Sequence, residues 1–538
     1  MKPLVPPMML GVLMAVLVPA LARAADDGDR KFFDAAFDAT VARYHLPGLA
    51  LGVVEDGKVV YARAEGERLA GSGQRIDAQT LFKIASNSKA MTSALLARLV
   101  DQGKLKWDDP VTKYLPDFRM HDPWVTQNMQ VRDLLVHNSG LPAGAGDLML
   151  WPDPNLFTRA DVIHGLRYLK PAYSFRSRYA YDNTLYIVAG EVAAKAGGAS
   201  YETLLKREVF GPLGLQRCQI GAWNRDAVGN VAQPHARSDG RNVPVRQDEA
   251  EIPDVPMAAA GGVRCSLDDM LKWTSMWLDP QHQGLVDGKP WLSDAQRRAV
   301  WAPQTIMPVS SLMREWDNSH MFAYGYGWRM TDVDGVWKVS HTGTLAGMYS
   351  ALTLLPDRHV GFVIMINGDA DDARTVLNQS LVKHYTAPQL GKTVTEYADA
   401  LDALAAKAAA SAKPAKVEPQ HRLATRGDRA IIPGRYRDPW LGDATICPDG
   451  NSLRFTALKS PKMSGLLHMA GARAMVHWDD PTLDVDAWLD FATVKGATTL
   501  KMSKLDPHGD FSSDYEDLAF TRVSACPAQP PVRAMQER

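Results

Sequence analysis

Apolar residues recur at helical spacing and then at strand spacing near the start of the chain. Between residues 31 and 44, apolar side chains return every three or four positions, which predicts an amphipathic helix. Two apolar runs at 47–54 and 59–64 flank a polar, glycine-containing turn and predict a β-hairpin. The alanine- and leucine-rich run at 90–100 predicts a second helix.

Strand patterns return later in the chain, after a long region of different character. The residues from about 100 to 310 contain many prolines, glycines, tryptophans and aspartates between short helical runs, which predicts a mostly helical subdomain. Residues 372–385 predict a closing helix. Before that helix, β-prone segments follow one another at 325–330, 336–341, 349–355 and 360–366. Because strands and helices stand at both ends of this region, we expect an α/β fold in which an antiparallel sheet is flanked by helices and joined to the helical subdomain.

The pattern changes again after residue 390. Residues 396–412 are alanine-rich and predict a helix, whereas 413–429 are polar with prolines and predict a linker. From 431 to 523, short β-type runs alternate with turns, which is typical of a small all-β barrel or sandwich. The predicted organisation is a leader at 1–24, a first domain at 25–390, a helix and linker at 391–429, a β-barrel domain at 430–526 and a tail at 527–538.

The first 24 residues have the pattern of a secretory signal peptide. Lys2 is followed by an apolar stretch and then by the small-residue triplet Ala22-Arg23-Ala24. The apolar stretch is short for a membrane-spanning helix, and no later stretch is apolar enough to cross a membrane. We expect a secreted or periplasmic protein with no stable membrane span after cleavage, with an uncleaved signal anchor as the alternative.

The composition narrows the partners that we expect. A net charge of −1 at pH 7 gives no reason to expect nucleic acid or an anionic membrane as a partner. The 14 histidines and four cysteines show no metal-ligand spacing, so we expect no metal and no cofactor. The expected partner is a small-molecule or peptide substrate, and the oligomeric state stays open.

The four cysteines divide evenly between the two predicted domains. Export would permit disulfides, so Cys447 and Cys526 could close the C-terminal domain. Cys218 and Cys265 could bridge the first domain, but buried free thiols are an equally favoured interpretation for this pair.

A serine and a lysine three residues apart open the helix predicted at 90–100. In Ser86-Asn87-Ser88-Lys89, the positions i and i+3 share one helix face, so the amine of Lys89 can reach the hydroxyl of Ser86. The start of a helix also offers free backbone N–H groups and positive potential for an oxyanion. The pattern therefore predicts a nucleophile, Ser86, activated by a lysine base. A second S-x-x-K match at 380–383 falls inside a helical pattern, and we interpret it as structural.

Two further motifs follow the first one in a characteristic order. Tyr181-Asp182-Asn183 comes first, and His341-Thr342-Gly343 follows further along the chain. The set S-x-x-K, Y-x-N and [K/H]-T-G resembles the active-site motifs of the serine β-lactamase and penicillin-binding protein superfamily. The Y-x-N form is similar to the class C branch, which also contains D,D-carboxypeptidases, D-aminopeptidases and esterases.

Other segments extend this resemblance over roughly residues 30 to 390. The segment 134–142 is similar to the family's L-L-x-H-x-S-G-L-P loop, and 260–270 is similar to its A-G-G-x-x-S-x-x-D-M segment. The resemblance implies a β-lactamase-like fold for the first domain. The predicted β-barrel domain resembles the lipocalin-like C-terminal domains of some relatives. His137, within the first segment, is interpreted as a loop former.

The resemblance also implies a role for each motif residue. Ser86 would be the nucleophile, and Lys89 would be its base or the positive partner of a tyrosinate. Tyr181 would transfer the proton to the leaving group, and Asn183 would hold Lys89 and the substrate amide. His341, Thr342 and Gly343 would lie on an edge strand facing the substrate cleft. The backbone N–H groups of Ser86 and Thr344 would form the oxyanion hole.

His341 departs from the lysine that β-lactamases usually carry at this position. A mostly neutral imidazole is a weaker partner for a substrate carboxylate than a permanent cation. This departure makes penicillins a less favoured substrate and esters, amides or D-amino-acid peptides more favoured ones. From the motif set we expect a secreted serine hydrolase that forms an acyl-enzyme and cleaves amide or ester bonds in D-amino-acid peptides, small esters or β-lactams. A true class C β-lactamase is the first alternative, and a non-catalytic protein that binds or senses penicillin or peptidoglycan fragments is the second.

Overall fold

The first domain is built around an eight-stranded sheet in the computed structural model, which describes residues 27–411, 420–483 and 485–527. Its strands are β1 (Gly48–Glu55), β2 (Lys58–Gly66), β3 (Thr305–Ile306), β4 (Phe322–Tyr324), β5 (Arg329–Val333), β6 (Val336–Leu345), β7 (Met348–Leu355) and β8 (Val360–Ile366). Their order across the sheet is β3-β4-β5-β6-β7-β8-β1-β2, and every neighbouring pair is antiparallel. The predicted antiparallel sheet, made from both ends of the domain, is confirmed. The predicted signal at 1–24 lies outside the described residues.

One predicted strand is displaced. Residues 325–328 form the turn between β4 and β5, whereas the sequence predicts a strand over 325–330. Gly327 has φ +76°, a left-handed conformation that ends an extended strand. The turn also packs on the backbone of Lys89, because a Cβ added to Gly327 would lie 2.7 Å from the carbonyl oxygen of Lys89.

Six longer helices accompany the sheet. They are α1 (Asp27–Tyr44), α2 (Ser88–Asp101), α3 (Thr184–Gly197), α4 (Leu267–Leu278), α5 (Asp371–Thr386) and α6 (Val394–Ser411). Shorter helices and single helical turns occupy Ala85–Asn87, Val111–Lys113, Pro123–Asn128, Val131–Leu135, Asp147–Met149, Arg159–Gly165, Tyr201–Leu205, Lys206–Phe210, Arg225–Val228, Ala258–Gly261, Asp294–Val300, Ser311–Asp317, Pro356–Arg358, Pro388–Leu390 and Tyr515–Asp517. Two-stranded pairs join Phe82–Lys83 to Arg264–Cys265, Trp223–Asn224 to Glu251–Ile252, His235–Ser238 to Arg241–Pro244, and Leu285–Val286 to Lys289–Pro290.

The two faces of the sheet bury different cores. Along β1, Leu49, Leu51 and Val53 pack with residues of α1, α5 and α6, whereas Ala50 and Val54 join the larger cluster that contains α2, α3 and α4. This alternation follows from the two-residue period of a strand. The layered arrangement puts the helical subdomain on one face of the sheet, with the segment around Ser86 between them.

Nine strands form the C-terminal domain. They are β9 (His421–Leu423), β10 (Gly434–Asp438), β11 (Gly442–Asp449), β12 (Ser452–Ala457), β13 (Ser464–Ala470), β14 (Arg473–Trp478), β15 (Ala487–Val494), β16 (Ala497–Lys504) and β17 (Ala519–Ser524). Strands β10 to β17 pair with their sequence neighbours, and β17 pairs with β10, so they close an eight-stranded antiparallel barrel. The predicted all-β barrel is confirmed, and its lipocalin-like character stays a prediction.

Strand β9 is an addition to the predicted organisation. It lies within the stretch that the sequence predicts as linker, and it pairs with β13 outside the closed barrel. Short polar segments take up strand structure when a partner edge lies beside them, which a sequence pattern alone does not reveal. The preceding residues 412–419 lie outside the described part of the chain.

Both cysteine pairs form disulfides. Cys447 is bonded to Cys526, and Cys218 is bonded to Cys265. The alternative of free thiols for the second pair is therefore wrong. Cys265 lies on the short strand that pairs with Phe82, and Phe82 is four residues before Ser86. The disulfide therefore anchors the strand beside the segment that leads into the candidate nucleophile.

The barrel domain docks on the helical subdomain. The N–H of Leu156 donates to the carbonyl oxygen of Lys459 at 2.7 Å, and the ammonium of Lys459 lies 2.6 Å from a carboxylate oxygen of Asp161. Within the described ranges, every helix is too short or too polar to cross a membrane.

Candidate active site

Ser86 lies in a single helical turn that leads directly into α2. The turn spans Ala85–Asn87, and its first residue has φ +48°, which is uncommon for a residue other than glycine. The hydroxyl of Ser88 donates to the carbonyl oxygen of Ala85 at 2.7 Å and braces this conformation. The side chain of Ser86 is half-buried, whereas its neighbours in the turn are buried. The sharp turn therefore presents the hydroxyl of Ser86 at the N-terminal end of α2.

Lys89 is fully buried directly beside Ser86. Its Nζ lies 3.0 Å from Ser86 Oγ, 2.8 Å from Asn183 Oδ1 and 2.9 Å from the carbonyl oxygen of Ala260. Burial disfavours the charged form and lowers the pKa of Lys89 to about 7. A neutral amine has two N–H groups and one lone pair. If Asn183 and Ala260 accept the two N–H bonds, the lone pair faces the hydroxyl of Ser86.

Ala260 belongs to the segment 260–270 that supports the sequence resemblance. The short helix Ala258–Gly261 carries its carbonyl oxygen to Lys89, and the next residues hold the other side of the same turn. Ser88 Oγ accepts the N–H of Val263 at 3.1 Å, and the N–H of Ile84 donates to Val263 O at 3.1 Å. The segment therefore fixes both the lysine and the serine-bearing turn.

Tyr181 approaches Ser86 from the helical subdomain. Its hydroxyl donates to Ser86 Oγ at 2.8 Å, and its ring centre lies 4.8 Å from Lys89 Nζ. Burial raises the pKa of Tyr181 well above its ordinary value, and the nearby charge of Arg329 offsets only part of that effect. Tyr181 is therefore a neutral phenol near pH 7, and Lys89 is the better base in this arrangement.

Asn183 connects Lys89 to a carboxyl that the sequence motifs did not indicate. Asn183 Nδ2 donates to Asp147 Oδ2 at 2.9 Å, while Asn183 Oδ1 accepts from Lys89. Asp147 is fully buried, and burial raises its pKa to about 8. At this pKa the carboxyl is mostly protonated near pH 7, and Oδ1, which has no hydrogen-bond partner among the described residues, can carry the proton. Oδ2 accepts from Asn183 Nδ2, so the amide oxygen of Asn183 faces Lys89.

The imidazole of His341 lies inside the protein. His341 is fully buried, its Nε2 is 2.8 Å from the hydroxyl of Tyr324, and its Nδ1 is 2.7 Å from the carbonyl oxygen of Thr342. Burial and the charges of Arg329 and Lys89 hold the pKa of His341 well below its ordinary value, so the ring is neutral. These contacts hold the imidazole against its own strand, β6, and against Tyr324. The neutral ring offers a substrate no positive charge at position 341.

The predicted edge strand is an interior strand with one free half. Strand β6 lies between β5 and β7, but its pairing with β5 ends at Ser340, so residues 341–345 pair on one side with β7 alone. Gly343 packs directly on the serine-bearing turn, since an added Cβ would lie 2.1 Å from the carbonyl oxygen of Ile84. Thr344, next along the strand, is exposed. The expectation of an edge strand is thus wrong for β6 as a whole, because β5 covers its first half.

Arg329 supplies the permanent positive charge that the sequence analysis did not find. It lies on β5, opposite Ser340, and its Nη1 donates to Thr342 Oγ1 at 2.8 Å. Its guanidinium also influences the pKa of Tyr179, Tyr181 and His341. A cation thirteen residues before Thr342 reaches it only through the pairing of two strands, so spacing along the chain gives no signal for it.

His137 and the second S-x-x-K match, the other residues singled out from the sequence, make contacts that support the fold. His137 has φ +55°, and its Nδ1 accepts the N–H of Asp182 at 3.1 Å, which fits a loop former behind Tyr181. Lys383 of the second S-x-x-K match lies on α5 and forms an ion pair at 2.5 Å with Asp334, in the turn between β5 and β6. Among the described residues, no group of three or more histidines, cysteines, aspartates or glutamates could hold a metal ion.

Comparison with known proteins agrees with this geometry. The family model described as Beta-lactamase matches residues 33–385, which is more than half of the chain. In a solved structure, the octameric penicillin-binding protein homologue from Pyrococcus abyssi has 19% identity and a TM-score of 0.56, and the match covers 92% of this chain and 100% of that one. At this identity, the likeness concerns the fold.

Curated relatives share about a quarter of their residues with this chain. The unguisins hydrolase ungD of Aspergillus violaceofuscus is 26% identical over 363 residues, which are 64% of this chain and 63% of that protein. Penicillin-binding protein 4 of Amycolatopsis lactamdurans is 27% identical over 344 residues, covering 63% of this chain and 86% of that protein. Protein flp of Staphylococcus aureus is 23% identical over 388 residues, covering 70% and 71%. The chain thus spans less than two thirds of the unguisins hydrolase.

The match over 33–385 includes the turn that bears Ser86, the Tyr181–Asn183 motif and strand β6. The chain therefore belongs to the Beta-lactamase family, within the superfamily of serine β-lactamases and penicillin-binding proteins.

Proposed function

We propose that the protein hydrolyses amide or ester bonds through an acyl-enzyme formed on Ser86. One observation carries the proposal: Ser86 Oγ lies 3.0 Å from the amine of Lys89 and 2.8 Å from the hydroxyl of Tyr181. A serine hydroxyl is a weak nucleophile until a base within hydrogen-bond distance takes its proton. A buried lysine with a pKa of about 7 is such a base at neutral pH.

The proton would travel from Ser86 to the leaving group through Lys89 and Tyr181. Lys89 takes the proton as Ser86 Oγ forms its bond to the substrate carbonyl carbon. The carbon then expels the amine or alcohol, which receives a proton from Tyr181 while Lys89 returns one to the phenol. Water adds to the acyl-enzyme with the same groups acting in reverse, and Ser86 regains its proton.

The backbone would stabilise the oxyanion of each addition step. We assign this role to the N–H groups of Ser86 and Thr344, which belong to the serine-bearing turn and to the free half of β6. Each such donor contributes roughly 3 kcal/mol to the transition state in characterised hydrolases.

Arg329 directs the choice of substrate. A guanidinium bonded to Thr342 Oγ1 can also bind a carboxylate, which His341 in its buried, neutral state cannot do. We therefore favour amides that carry a carboxylate near the scissile bond, namely D-amino-acid peptides and β-lactams, over neutral esters. One relative is named a hydrolase and another a penicillin-binding protein, and both names are compatible with the proposed chemistry.

We further propose that the protein is exported to the periplasm or the medium and acts there as a class C-like enzyme. The signal-like first 24 residues and two disulfides support an oxidising compartment.

The test is a comparison of initial hydrolysis rates of the protein and its Ser86→Ala variant. The substrates are a chromogenic cephalosporin, a D-alanine anilide and a short-chain aryl ester. We expect turnover of the carboxylate-bearing amides that disappears in the variant. Fast turnover of the cephalosporin alone would identify a true β-lactamase. Stable acylation without turnover would favour a penicillin sensor, and equal rates in both proteins would exclude Ser86 as the nucleophile.

A further inference from the structure

A loop of the barrel domain reaches the candidate active site. Residues 510–514, here the barrel loop, lie between β16 and β17 and contact residues 144–148 of the first domain. The carboxylate of Asp514 accepts the N–H groups of Gly146 at 2.6 Å and Leu148 at 3.3 Å. Within the loop, Asp510 Oδ1 accepts the N–H of Ser512 at 2.8 Å. The loop is thus braced internally and bonded on both sides of Asp147.

Ser512 extends the hydrogen-bond chain that ends at the nucleophile. Ser512 Oγ donates to Asp147 Oδ2 at 2.8 Å, the same oxygen that accepts from Asn183. Asn183 in turn accepts from Lys89, which lies beside Ser86. Each bond in this chain fixes the orientation of the next group, from the barrel domain to the reacting hydroxyl.

Phe511 contacts the other side of the site. Its backbone packs on Gly144, where an added Cβ would lie 2.4 Å from the carbonyl oxygen of Phe511. The N–H of Gly144 donates to the carbonyl oxygen of Tyr181 at 2.9 Å. The ring of Phe511 meets the ring of Tyr181 edge to face, with 5.9 Å between centroids, yet the residue stays 44% exposed. An exposed apolar ring beside the candidate proton carrier can take part in substrate contact.

We propose that the barrel loop completes the active site of this hydrolase: Ser512 is a positioning residue that acts through Asp147 and Asn183 on Lys89, and Phe511 is a specificity-determining residue that contacts an apolar group of the substrate. The inference rests on the proposed function, because it assigns these residues to the same reaction. In this proposal the barrel domain is part of the catalytic unit, because it supplies two residues to the active site.

The two residues should affect different kinetic constants. Loss of the Ser512 hydroxyl disturbs the groups that activate Ser86 for every substrate, so Ser512→Ala should lower kcat about tenfold across the panel, with little change in KM. Loss of the Phe511 ring removes binding to apolar groups only. Phe511→Ala should raise KM about tenfold for anilide and aryl substrates and leave kcat unchanged.

A pH profile distinguishes positioning from a general loss of stability. The charged groups that face Lys89 are Asp147, Asp182 and Arg329. The other titratable groups around it are Tyr181, Tyr186, His137 and His341, and Asp514 faces Asp147. The hydroxyl of Ser512 stabilises the ionised form of Asp147, and ionised Asp147 stabilises the ammonium of Lys89. Ser512→Ala should therefore raise the pKa of Asp147, so that the infrared band of its protonated carboxyl, assigned with an Asp147→Asn variant, disappears at higher pH than in the wild type. The acid limb of kcat/KM, which Lys89 sets near pH 7, should stay in place. Ser512→Thr, which keeps a hydroxyl, should restore the wild-type profile.

Two matched variants in the same domain serve as controls. Ser524 is an exposed serine of β17 whose hydroxyl bonds only to the next residue's carbonyl among the described hydrogen bonds, and Val494 is 51% exposed at the end of β15. Ser524→Ala and Val494→Ala should match the wild type in kcat, KM and pH profile. Thermal unfolding of each full-length variant identifies any that fails to fold.

The outcomes separate this inference from the proposed function. Turnover that depends on Ser86, together with Ser512→Ala and Phe511→Ala kinetics equal to those of the controls, would overturn the inference and leave the hydrolase assignment intact. A folded Ser512→Ala with reduced kcat but an unmoved titration of the Asp147 carboxyl would overturn the positioning role. A wild-type protein without turnover would overturn both.

Discussion

Asn183 donates its side-chain N–H to Asp147 at 2.9 Å, and this bond turns the amide oxygen of Asn183 toward the amine of Lys89. The amide could bond in two orientations, and the observed one places Nδ2 against the acceptor oxygen Oδ2 of Asp147 and Oδ1 against Lys89. The position of the lysine beside Ser86 thus depends on a residue outside all three sequence motifs.

Ser86 and Lys89, the serine and lysine of the first S-x-x-K motif, are expected to be indispensable for turnover. Ser86→Ala should lower kcat on the order of 10⁴-fold or more, and Lys89→Met on the order of 10³-fold, because the nucleophile and its base act as a unit. Lys89 is fully buried, so methionine should fit its space without unfolding the protein. Steady-state kinetics on the best substrate, with circular dichroism for folding, provide the measurement.

The second S-x-x-K match offers a control for this pair. Ser380 lies within α5, and its hydroxyl is 3.4 Å from the carbonyl oxygen of Lys392, far along the chain from the site motifs. Ser380→Ala should retain wild-type kcat and KM. A loss comparable to that of Ser86→Ala would contradict the assignment of the nucleophile.

Activity should rise with pH through the neutral range. Burial lowers the pKa of Lys89 to about 7, and only the neutral amine can accept the proton of Ser86. The plot of kcat/KM against pH should therefore climb tenfold per pH unit below pH 7 and level off above it. Activity that stays level through pH 7 and falls near the ordinary lysine pKa would show that Lys89 is a charged partner and that another group is the base.

Arg329→Gln should discriminate between charged and neutral substrates. The guanidinium beside Thr342 would bind a substrate carboxylate, and a charge-assisted hydrogen bond of this kind contributes about 1.5 to 3 kcal/mol. We expect KM to rise about 10- to 100-fold for carboxylate-bearing amides, with little change for a neutral aryl ester. Arg298→Gln, on the exposed face of the helix Asp294–Val300, is the control. Equal losses for charged and neutral substrates would argue against carboxylate binding.

Gly343→Ala tests the contact between β6 and the serine-bearing turn. An added Cβ would lie 2.1 Å from the carbonyl oxygen of Ile84, so strand and turn must separate. We expect a loss of roughly 1 to 3 kcal/mol in the free energy of unfolding and a fall in kcat on the order of 10²-fold, since a small displacement of the nucleophile is costly. Gly427→Ala, where only Thr425 Oγ1 lies within 4 Å, should change neither. Unaltered kcat in Gly343→Ala would mean that the turn tolerates the displacement.

Removal of the disulfide between Cys218 and Cys265 should destabilise the first domain. The bond closes a loop with a sequence separation of 47, for which chain entropy predicts a contribution of about 4 kcal/mol as an upper bound. The double variant Cys218→Ser/Cys265→Ser should lose about 2 to 4 kcal/mol in urea denaturation and keep its turnover at low temperature. A loss below about 1 kcal/mol would indicate that packing around the short strand suffices without the bond.

The amino-acid sequence alone determined the elements and motifs that depend on local pattern. Apolar patterning identified β8 and the helices α1 and α5 to within a few residues, because a buried face imposes its repeat on the sequence. The alanine-rich composition of 396–412 identified α6. The motif order located Ser86, Lys89, Tyr181 and Asn183, which the fold brings within hydrogen-bond distance of one another.

Tertiary structure decided the rest of the site, because those contacts join residues that no local pattern connects. Arg329 reaches Thr342 by strand pairing, and Asp147 reaches Asn183 across a loop that begins with Gly144 and Gly146 in left-handed conformations. Those glycines before an acidic residue are the one local signal that could have drawn attention to Asp147. Ser512 reaches Asp147 from another domain, 365 residues away. Contacts of such separation depend on how whole layers pack, and a linear motif carries no information about them.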